Sequence, residues 1–190
     1  MQWKNVVLVL ITILTIITYF FDEQLIYLIA ELRIPILDTI AINVATFSDV
    51  FIMMAVVVVL FLLVKRKFVV QVFLASVMSL GVAFLIKQIV ARPRPYETLN
   101  IIPLIVETGY SFVSGHVIFY FALIPIFYFV FRKTGRLIWT VIAIVVLLSR
   151  LYLGVHYVTD VLASVVLGLL IGRFALHIEE VFFVRWKSLS

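Results

Sequence analysis

Apolar residues in this chain come in long runs rather than in the stripes of an amphipathic soluble helix. A helix rises 1.5 Å per residue, so about 20 apolar residues cross the hydrocarbon of a bilayer, fewer where polar ends snorkel. Six runs meet or approach that length: Trp3–Phe21, Val50–Val64, Phe68–Ile86, His116–Phe131, Leu137–Ser149 and Tyr157–His177. The second and fifth are short and must lean on polar neighbours. The fifth reaches full length if its helix continues through Arg150 toward Gly154. Between the first two runs, Leu25, Leu28, Ile29 and Leu32 recur at helical spacing beside Asp22, Glu23 and Glu31. This predicts an amphipathic helix lying on the outer interface, or a packed re-entrant turn broken at Pro35, with Leu37–Phe47 continuing it. The first run is longer than a signal-peptide core and lacks a small-x-small cleavage site before Asp22, so it reads as a retained span. No internal repeat and no linker is visible. The expectation is an all-α, polytopic membrane protein with six transmembrane helices plus an outer interfacial amphipathic helix, forming a single membrane-embedded domain over residues 1–190.

Composition sharpens this. Of 190 residues, 65% are hydrophobic and 13% charged, and the mean hydropathy is +1.27. A soluble domain carries about a quarter charged and about half apolar residues. So much apolar surface cannot be hidden inside a protein this small, so the bilayer must be its solvent. The net charge of +5 sits in short clusters between apolar runs, where it sets topology, and no nucleic-acid partner is expected. With the N-terminus in the cytoplasm, the inside carries Lys4, Lys65, Arg66, Lys67, Arg132, Lys133, Arg136, Arg173, Arg185 and Lys187. The outside carries Arg33, Lys87, Arg92, Arg94 and Arg150, together with eight of the ten acidic residues; Glu179 and Glu180 fall inside. The positive-inside rule thus predicts cytoplasmic termini. Four of the five outer cations cluster in two short segments against the trend, and a site would explain why. There is no cysteine, which excludes disulfides, thiolate metal sites and cysteine-phosphatase chemistry.

Three outer segments carry candidate chemistry. In Ser149-Arg150-Leu-Tyr-Leu-Gly-Val-His156-Tyr-Val-Thr-Asp160, the last two named residues are four apart and share a face if helical. A carboxylate on one imidazole nitrogen leaves the other unprotonated and nucleophilic. Arg150 offers a planar fork for phosphate oxygens. The spacing alone leaves open a plain tie at a helix end. In Lys87-Gln-Ile-Val-Ala-Arg92-Pro-Arg94-Pro95, Lys87 ends the third run and Arg94 follows in a proline-stiffened stretch. An anion site and a snorkelling interfacial anchor both fit. In Gly109-Tyr-Ser111-Phe-Val-Ser114-Gly115-His116, a Ser-Gly turn feeds a helix, exposing amides that cradle an oxyanion. His116 there is a proton donor for a leaving oxygen, or the turn is an ordinary cap by Ser114. Together the segments supply three fixed cations, two histidines, a carboxylate and a donor-rich turn, an inventory that fits phosphoryl transfer through a covalent phosphohistidine.

With these residues in place, the chain resembles the type 2 phosphatidic acid phosphatases, the integral-membrane lipid phosphate phosphatases. That family's signature runs K-x6-R-P, P-S-G-H, S-R-x5-H-x3-D. Lys87, Arg94 and Pro95 match the first part; Ser114, Gly115 and His116 the second; Ser149, Arg150, His156 and Asp160 the third. The third pattern alone arises by chance in about one chain per thousand of this length. Val113 departs from the second part, standing where the family has proline. The resemblance implies a lipid phosphatase of the outer membrane face needing no metal or cofactor. His156 is then the nucleophile, Asp160 its orienting partner and His116 the acid. Lys87, Arg94, Arg150, Ser114 and the Gly115 amide hold phosphate. The substrate is a membrane lipid phosphate such as phosphatidylglycerol phosphate, undecaprenyl pyrophosphate or phosphatidic acid. The compact chain points to a bacterial cytoplasmic membrane. A phosphotransferase to an alcohol acceptor uses the same intermediate, and a transporter is the reading from another class. Gly168 and Gly172 predict close helix packing. Arg92 adds positive potential without touching phosphate. Tyr96, Tyr110, Tyr152 and Tyr157 line an entrance or an interfacial belt. His177 is a cytoplasmic-end residue without chemistry.

Overall fold

The computed structural model describes the backbone of residues 2–187 and the side chains of residues 5–178. Lys4, Glu179, Glu180, Arg185 and Lys187, which enter the charge count for orientation, have side chains outside the described residues. Nine α-helices appear among the described residues: α1 Gln2–Tyr19, α2 Asp22–Glu31, α3 Pro35–Phe47, α4 Val50–Val64, α5 Val69–Val90, α6 Pro95–Thr98, α7 Gly115–Val130, α8 Lys133–Tyr152 and α9 Val158–Lys187. A single 3-10 turn, Arg66–Phe68, joins α4 to α5. No strand occurs among them.

The boundaries have local causes. Asp49 accepts hydrogen bonds from the Phe51 and Ile52 amides, each at 3.0 Å, and so starts α4. Ala91 takes a left-handed conformation (φ 48°) to end α5, and Pro93 and Pro95 keep the following stretch from resuming that helix. Ile34 is extended (φ −138°, ψ 148°), as a residue before proline must be, so α2 and α3 are separate helices. This corrects the expectation that 37–47 continues the amphipathic helix. Instead α2 turns 87° away from α1, and α3 meets α4 at a 61° bend.

Among the described residues, three helical stretches are long and apolar enough to cross a membrane: Arg66–Thr98, Lys133–Tyr152 and Val158–Ile178. The number rises to five if each bent pair, α1–α2 and α3–α4, is one span. Outward-facing side chains such as Leu63 and Ile89, each 80% exposed, cover the flanks with apolar surface that water would not tolerate. The chain is thus built as a multi-pass membrane protein.

α7 is the axis of the bundle. At 16 residues it is shorter than the three spanning stretches, and it packs most extensively against α9, then α5 and α8. Val117, Ile118, Phe119, Tyr120, Ala122 and Leu123 along it are all buried. Trp139 of α8 stacks on Phe127 at 4.4 Å and donates from its indole nitrogen to the Tyr120 carbonyl at 3.0 Å. On the α9 side, Gly168 and Gly172 allow near backbone contact. A Cβ at Gly168 would fall 2.6 Å from the Ile118 carbonyl, and one at Gly172 would fall 2.9 Å from Pro125. The two glycines serve packing inside the bundle.

Candidate active site

The functional side chains gather at one pole, where the C-terminal ends of α5 and α8 meet the N-terminal ends of α7 and α9. Alternating helix direction brings the three sequence segments there. Contacts tie them together: Arg94 to the Val155 carbonyl at 2.9 Å, the Ser114 amide to Ser164 at 2.9 Å, and Lys87 to the carbonyls of Tyr110 and Ser111.

Gly154, with φ +76°, reverses the chain after α8, and a side chain there would strike the Arg33 guanidinium 2.6 Å away. Arg33 itself donates to the carbonyls of Tyr152 and Ile102, fixing this corner. His156 follows in the turn, two residues before α9 begins, so it does not share a helix with Asp160 as the four-residue spacing predicts. The two meet nevertheless, His156 Nδ1 lying 3.6 Å from Asp160 Oδ2. That is an electrostatic contact, longer than a good hydrogen bond. Asp160 Oδ2 accepts from the Tyr157 amide at 2.8 Å and from the Ser111 hydroxyl, which also sits 3.4 Å from His156 Nδ1. Both His156 and Asp160 are almost fully buried. Burial pushes the His156 imidazole below the ordinary histidine range, while Asp160 and Glu107 pull the other way without cancelling it. Burial thus favours the unprotonated ring, the form that carries a lone pair.

On the Nε2 side of that ring stands Glu107. Its carboxylate accepts from Arg150 Nη1 at 2.6 Å, pairs with Arg94 Nη1 at 3.0 Å and lies 3.9 Å from His156 Nε2. Burial favours the protonated acid, but His156, Arg150, Arg94 and His116 together hold the carboxyl below its usual range. Tyr96 holds the Glu107 carbonyl at 2.8 Å. Glu107 lies just outside the three segments that carry candidate chemistry in the sequence. The available signal was an acidic residue two before Gly109, beside the serine-rich turn.

The cations differ in what they have left to give. Arg94 donates to the carbonyls of Gly109, Val155 and Thr108 as well as to Glu107. Lys87 is engaged by two carbonyls. Arg150 is 1% exposed, yet its Nε and Nη2 have no hydrogen-bond partner among the described residues. The Ser114 hydroxyl is likewise buried and unpartnered, and it does not cap α7. An unmet buried donor costs about 1–3 kcal/mol, and three of them at one pole suit a group with acceptor oxygens. A Cβ on Gly115 would meet nothing within 4 Å, leaving space beside the first turn of α7. His116 lies on that turn, partly buried, within electrostatic reach of Arg150, Glu107 and His156. Val113, at the place of the family's proline, is fully buried.

Arg92 does more than add potential. It bridges Asp160 at 2.8 Å and Asp22 at 2.9 Å. Three of the four tyrosines make tertiary hydrogen bonds: Tyr96 as above, Tyr152 to Asp38 at 2.8 Å and Tyr157 to Thr98 at 2.7 Å. His177 lies toward the opposite end of α9 from the site.

The chain is similar to several known proteins. A lipid A 4'-phosphatase from Porphyromonas gingivalis is 35% identical over 83 residues, 43% of this chain and 35% of the relative. Phosphatidylglycerophosphatase B of Bacillus subtilis is 41% identical over 97 residues, 45% of each chain. The bacitracin transport permease protein BcrC of Bacillus licheniformis is 41% identical over 83 residues, 43% of this chain and 40% of that one. The aligned stretches thus span less than half the length of these curated relatives. Among solved structures, Aquifex aeolicus LpxE superposes with a TM-score of 0.77 at 22% identity, covering 83% of this chain and 95% of the other, a likeness of fold. A transmembrane PAP2 type phosphatidylglycerolphosphate phosphatase from Bacillus subtilis gives 0.77 at 27% identity, covering 94% and 96%. The PAP2 superfamily model matches residues 68–183, a range that holds α5 to α8, the motif-bearing loops and most of α9. The chain belongs to the PAP2 superfamily.

Proposed function

We propose that this protein is a lipid phosphatase that removes the phosphomonoester or terminal phosphate of a membrane lipid through a phosphohistidine on His156, at the outer face of a bacterial cytoplasmic membrane. The observation that carries the reading is the oxyanion-shaped setting around His156 Nε2. Arg150 and Arg94 converge on one carboxylate within 3.9 Å of that nitrogen, and unpartnered Arg150 and Ser114 donors lie buried at the same pole. Glu107 stands in for the anion, and a phosphate displaces it.

In this mechanism the His156 Nε2 lone pair attacks phosphorus while the P–O bond to the lipid breaks. The departing oxygen takes a proton from His116, leaving the phosphoryl group on Nε2. Water then attacks phosphorus, gives its proton to His116, and the P–N bond breaks to release inorganic phosphate. Asp160 stabilises the positive charge on the imidazole. Arg150, Ser114 and the Gly115 amide hold the equatorial oxygens, Arg94 joins them when Glu107 withdraws, and Lys87 adds positive potential. Charge spreading over those oxygens is met by fixed cations already in place. No metal enters the scheme.

The relatives' names, a lipid A phosphatase and a phosphatidylglycerophosphatase, support an anionic lipid headgroup as substrate. The positive-inside pattern supports cytoplasmic termini and an outward-facing site. The permease relative favours a second reading, transport. Against it, the ion pairs between described residues gather at one pole instead of forming a path along the bundle. A phosphate-release panel over phosphatidylglycerol phosphate, undecaprenyl pyrophosphate, phosphatidic acid and lipid A, with His156→Ala as the blank, tests the proposal. Release from at least one lipid, lost in the folded and membrane-inserted variant, is expected; undiminished release by that variant removes the nucleophile. A phosphorylated alcohol product would reassign the enzyme as a phosphotransferase. Counterflow in proteoliposomes without phosphate release would favour transport.

A further inference from the structure

The guanidinium of Arg92 lies between two buried carboxylates. Its Nη1 donates to Asp160 Oδ1 and to Thr159 Oγ1, each at 2.8 Å, and its Nη2 donates to Asp22 Oδ2 at 2.9 Å. The face of the fork stacks on the Tyr157 ring at 3.7 Å. Asp22, the first residue of α2, is 3% exposed and also accepts from the Thr159 amide at 3.0 Å and the Thr159 hydroxyl. Asp160 is fully buried, its Oδ2 turned to His156, Ser111 and the Tyr157 amide. Arg92 is therefore on the Oδ1 side of Asp160, with the imidazole on the Oδ2 side. None of these contacts is needed to hold phosphate.

We propose that Asp22 and Arg92 are positioning residues for phosphoryl transfer: Arg92 fixes and neutralises the far oxygen of Asp160, and Asp22 sets how much of that positive charge Asp160 and His156 receive. The inference rests on His156 being the nucleophile. An isolated carboxylate buried beside His156 would draw protons to the pair, blocking the lone pair. The Arg92 charge opposes this. Asp22 shares Arg92, so it tempers the cation and anchors the fork through Thr159, at the point where α2 leaves α1. The other charged and titratable groups facing this pair are Glu107, Arg94, Arg150 and His116 on the Nε2 side of the ring, with Lys87 near Asp160 and Tyr157 under Arg92. They are the same in every variant below, so differences between variants report on Arg92 and Asp22.

A merely structural role and a charge-setting role predict different pH profiles. Removing the Arg92 charge leaves Asp160 uncompensated and raises the proton affinity of the Asp160–His156 pair. Removing the Asp22 charge gives Asp160 the whole of Arg92 and lowers it. The experiment measures phosphate release from phosphatidic acid in mixed detergent micelles, as kcat and KM across pH. The proteins are the parent and its Arg92→Gln, Arg92→Lys and Asp22→Asn variants. Arg92→Gln should move the acid limb of kcat/KM up by about one pH unit and lower kcat more than it raises KM. Asp22→Asn should move that limb the other way, and Arg92→Lys should return it close to the parental position. Limbs that coincide with the parent while kcat falls, limbs that shift the same way in both charge-removing variants, or a lysine variant that behaves like glutamine would each overturn the inference. If Arg92→Gln does not fold, the near-isosteric Asp22→Asn alone decides by the sign of its shift. Alkaline-quench trapping of phosphoprotein, which spares the acid-labile P–N bond, separates the two levels of failure. Phosphoprotein and phosphate release persisting in His156→Ala overturn the nucleophile reading and this inference together. Their loss in His156→Ala alongside unmoved limbs overturns this inference alone.

Discussion

Replacing Glu107 by glutamine keeps the length and planar end of the side chain and removes one negative charge from the fork of Arg94 and Arg150. In the parent, Oε1 accepts from Arg150 at 2.6 Å and Oε2 pairs with Arg94 at 3.0 Å. A hydrogen bond to a charged group contributes about 1.5–3 kcal/mol. Glutamine retains one acceptor oxygen and offers an amide NH2 in place of the other, so one such bond is lost and the second weakened. A phosphate competing for these donors then meets less opposition, by about 1.5–3 kcal/mol. At about 1.4 kcal/mol per decade, inorganic phosphate should inhibit the variant at roughly 10- to 100-fold lower concentration. The assay is competitive inhibition of lipid dephosphorylation by phosphate or orthovanadate in detergent, checked by direct titration calorimetry. Thermal melting supplies a second readout. Without anion, the variant leaves buried guanidinium charge under-compensated and should melt below the parent, and added phosphate should restore it more than it does the parent. Equal or weaker phosphate inhibition in Glu107→Gln would refute the view that this carboxylate occupies the anion's place.

Three further outcomes are expected. His116→Ala should slow turnover most for poor leaving groups such as lipid phosphomonoesters and least for a nitrophenyl phosphate; equal losses across leaving groups would count against its role as acid. Burial lowers the proton affinity of the His156 ring, so the acid limb of kcat/KM should lie below the ordinary histidine value of about 6.5, while the basic limb reports loss of the His116 proton. The same sign applies to folding: the stability of burying a neutral ring is present above that ordinary value and lost as pH falls through the folded one, which a pH series of melts will show. Gly172→Val pushes side-chain atoms toward Ala122 and Pro125 of α7 and should destabilise the bundle by about 1–3 kcal/mol or more, seen as a lower melting temperature in detergent.

Much of the architecture was legible in the hydrophobic pattern because bilayer spans leave long signals. Both ends of the run 50–64 coincide with α4, since Asp49 supplies a cap and Lys65 ends the apolar stretch. The run 137–149 understates α8, which takes in polar Lys133–Arg136 at one end and buried Arg150 at the other. Helix propensity continues where hydropathy has stopped. The site was legible only as three segments with suitable chemistry. The way the loops run between them was not, and it decides which donors remain for a ligand. Lys87 and Arg94 read as phosphate ligands by type and spacing, yet backbone carbonyls of 108–111 and 155 take most of their donors. Ser111, Glu107 and Asp22 were missed for the same reason: each acts across a fold-dependent contact that no periodicity encodes.

The two glycines facing α7 from α9 have a geometric consequence at the pole. Gly168 sits against the carbonyl of Ile118, two residues beyond His116, on the helix that His156 leads into. With no side chain at the crossing, the axes lie as near to each other as backbone atoms permit, and that crossing works as a gauge block for the gap between the two imidazoles. Any bulk introduced there acts as a shim, prising one ring from the other while leaving every polar group of the site chemically unchanged.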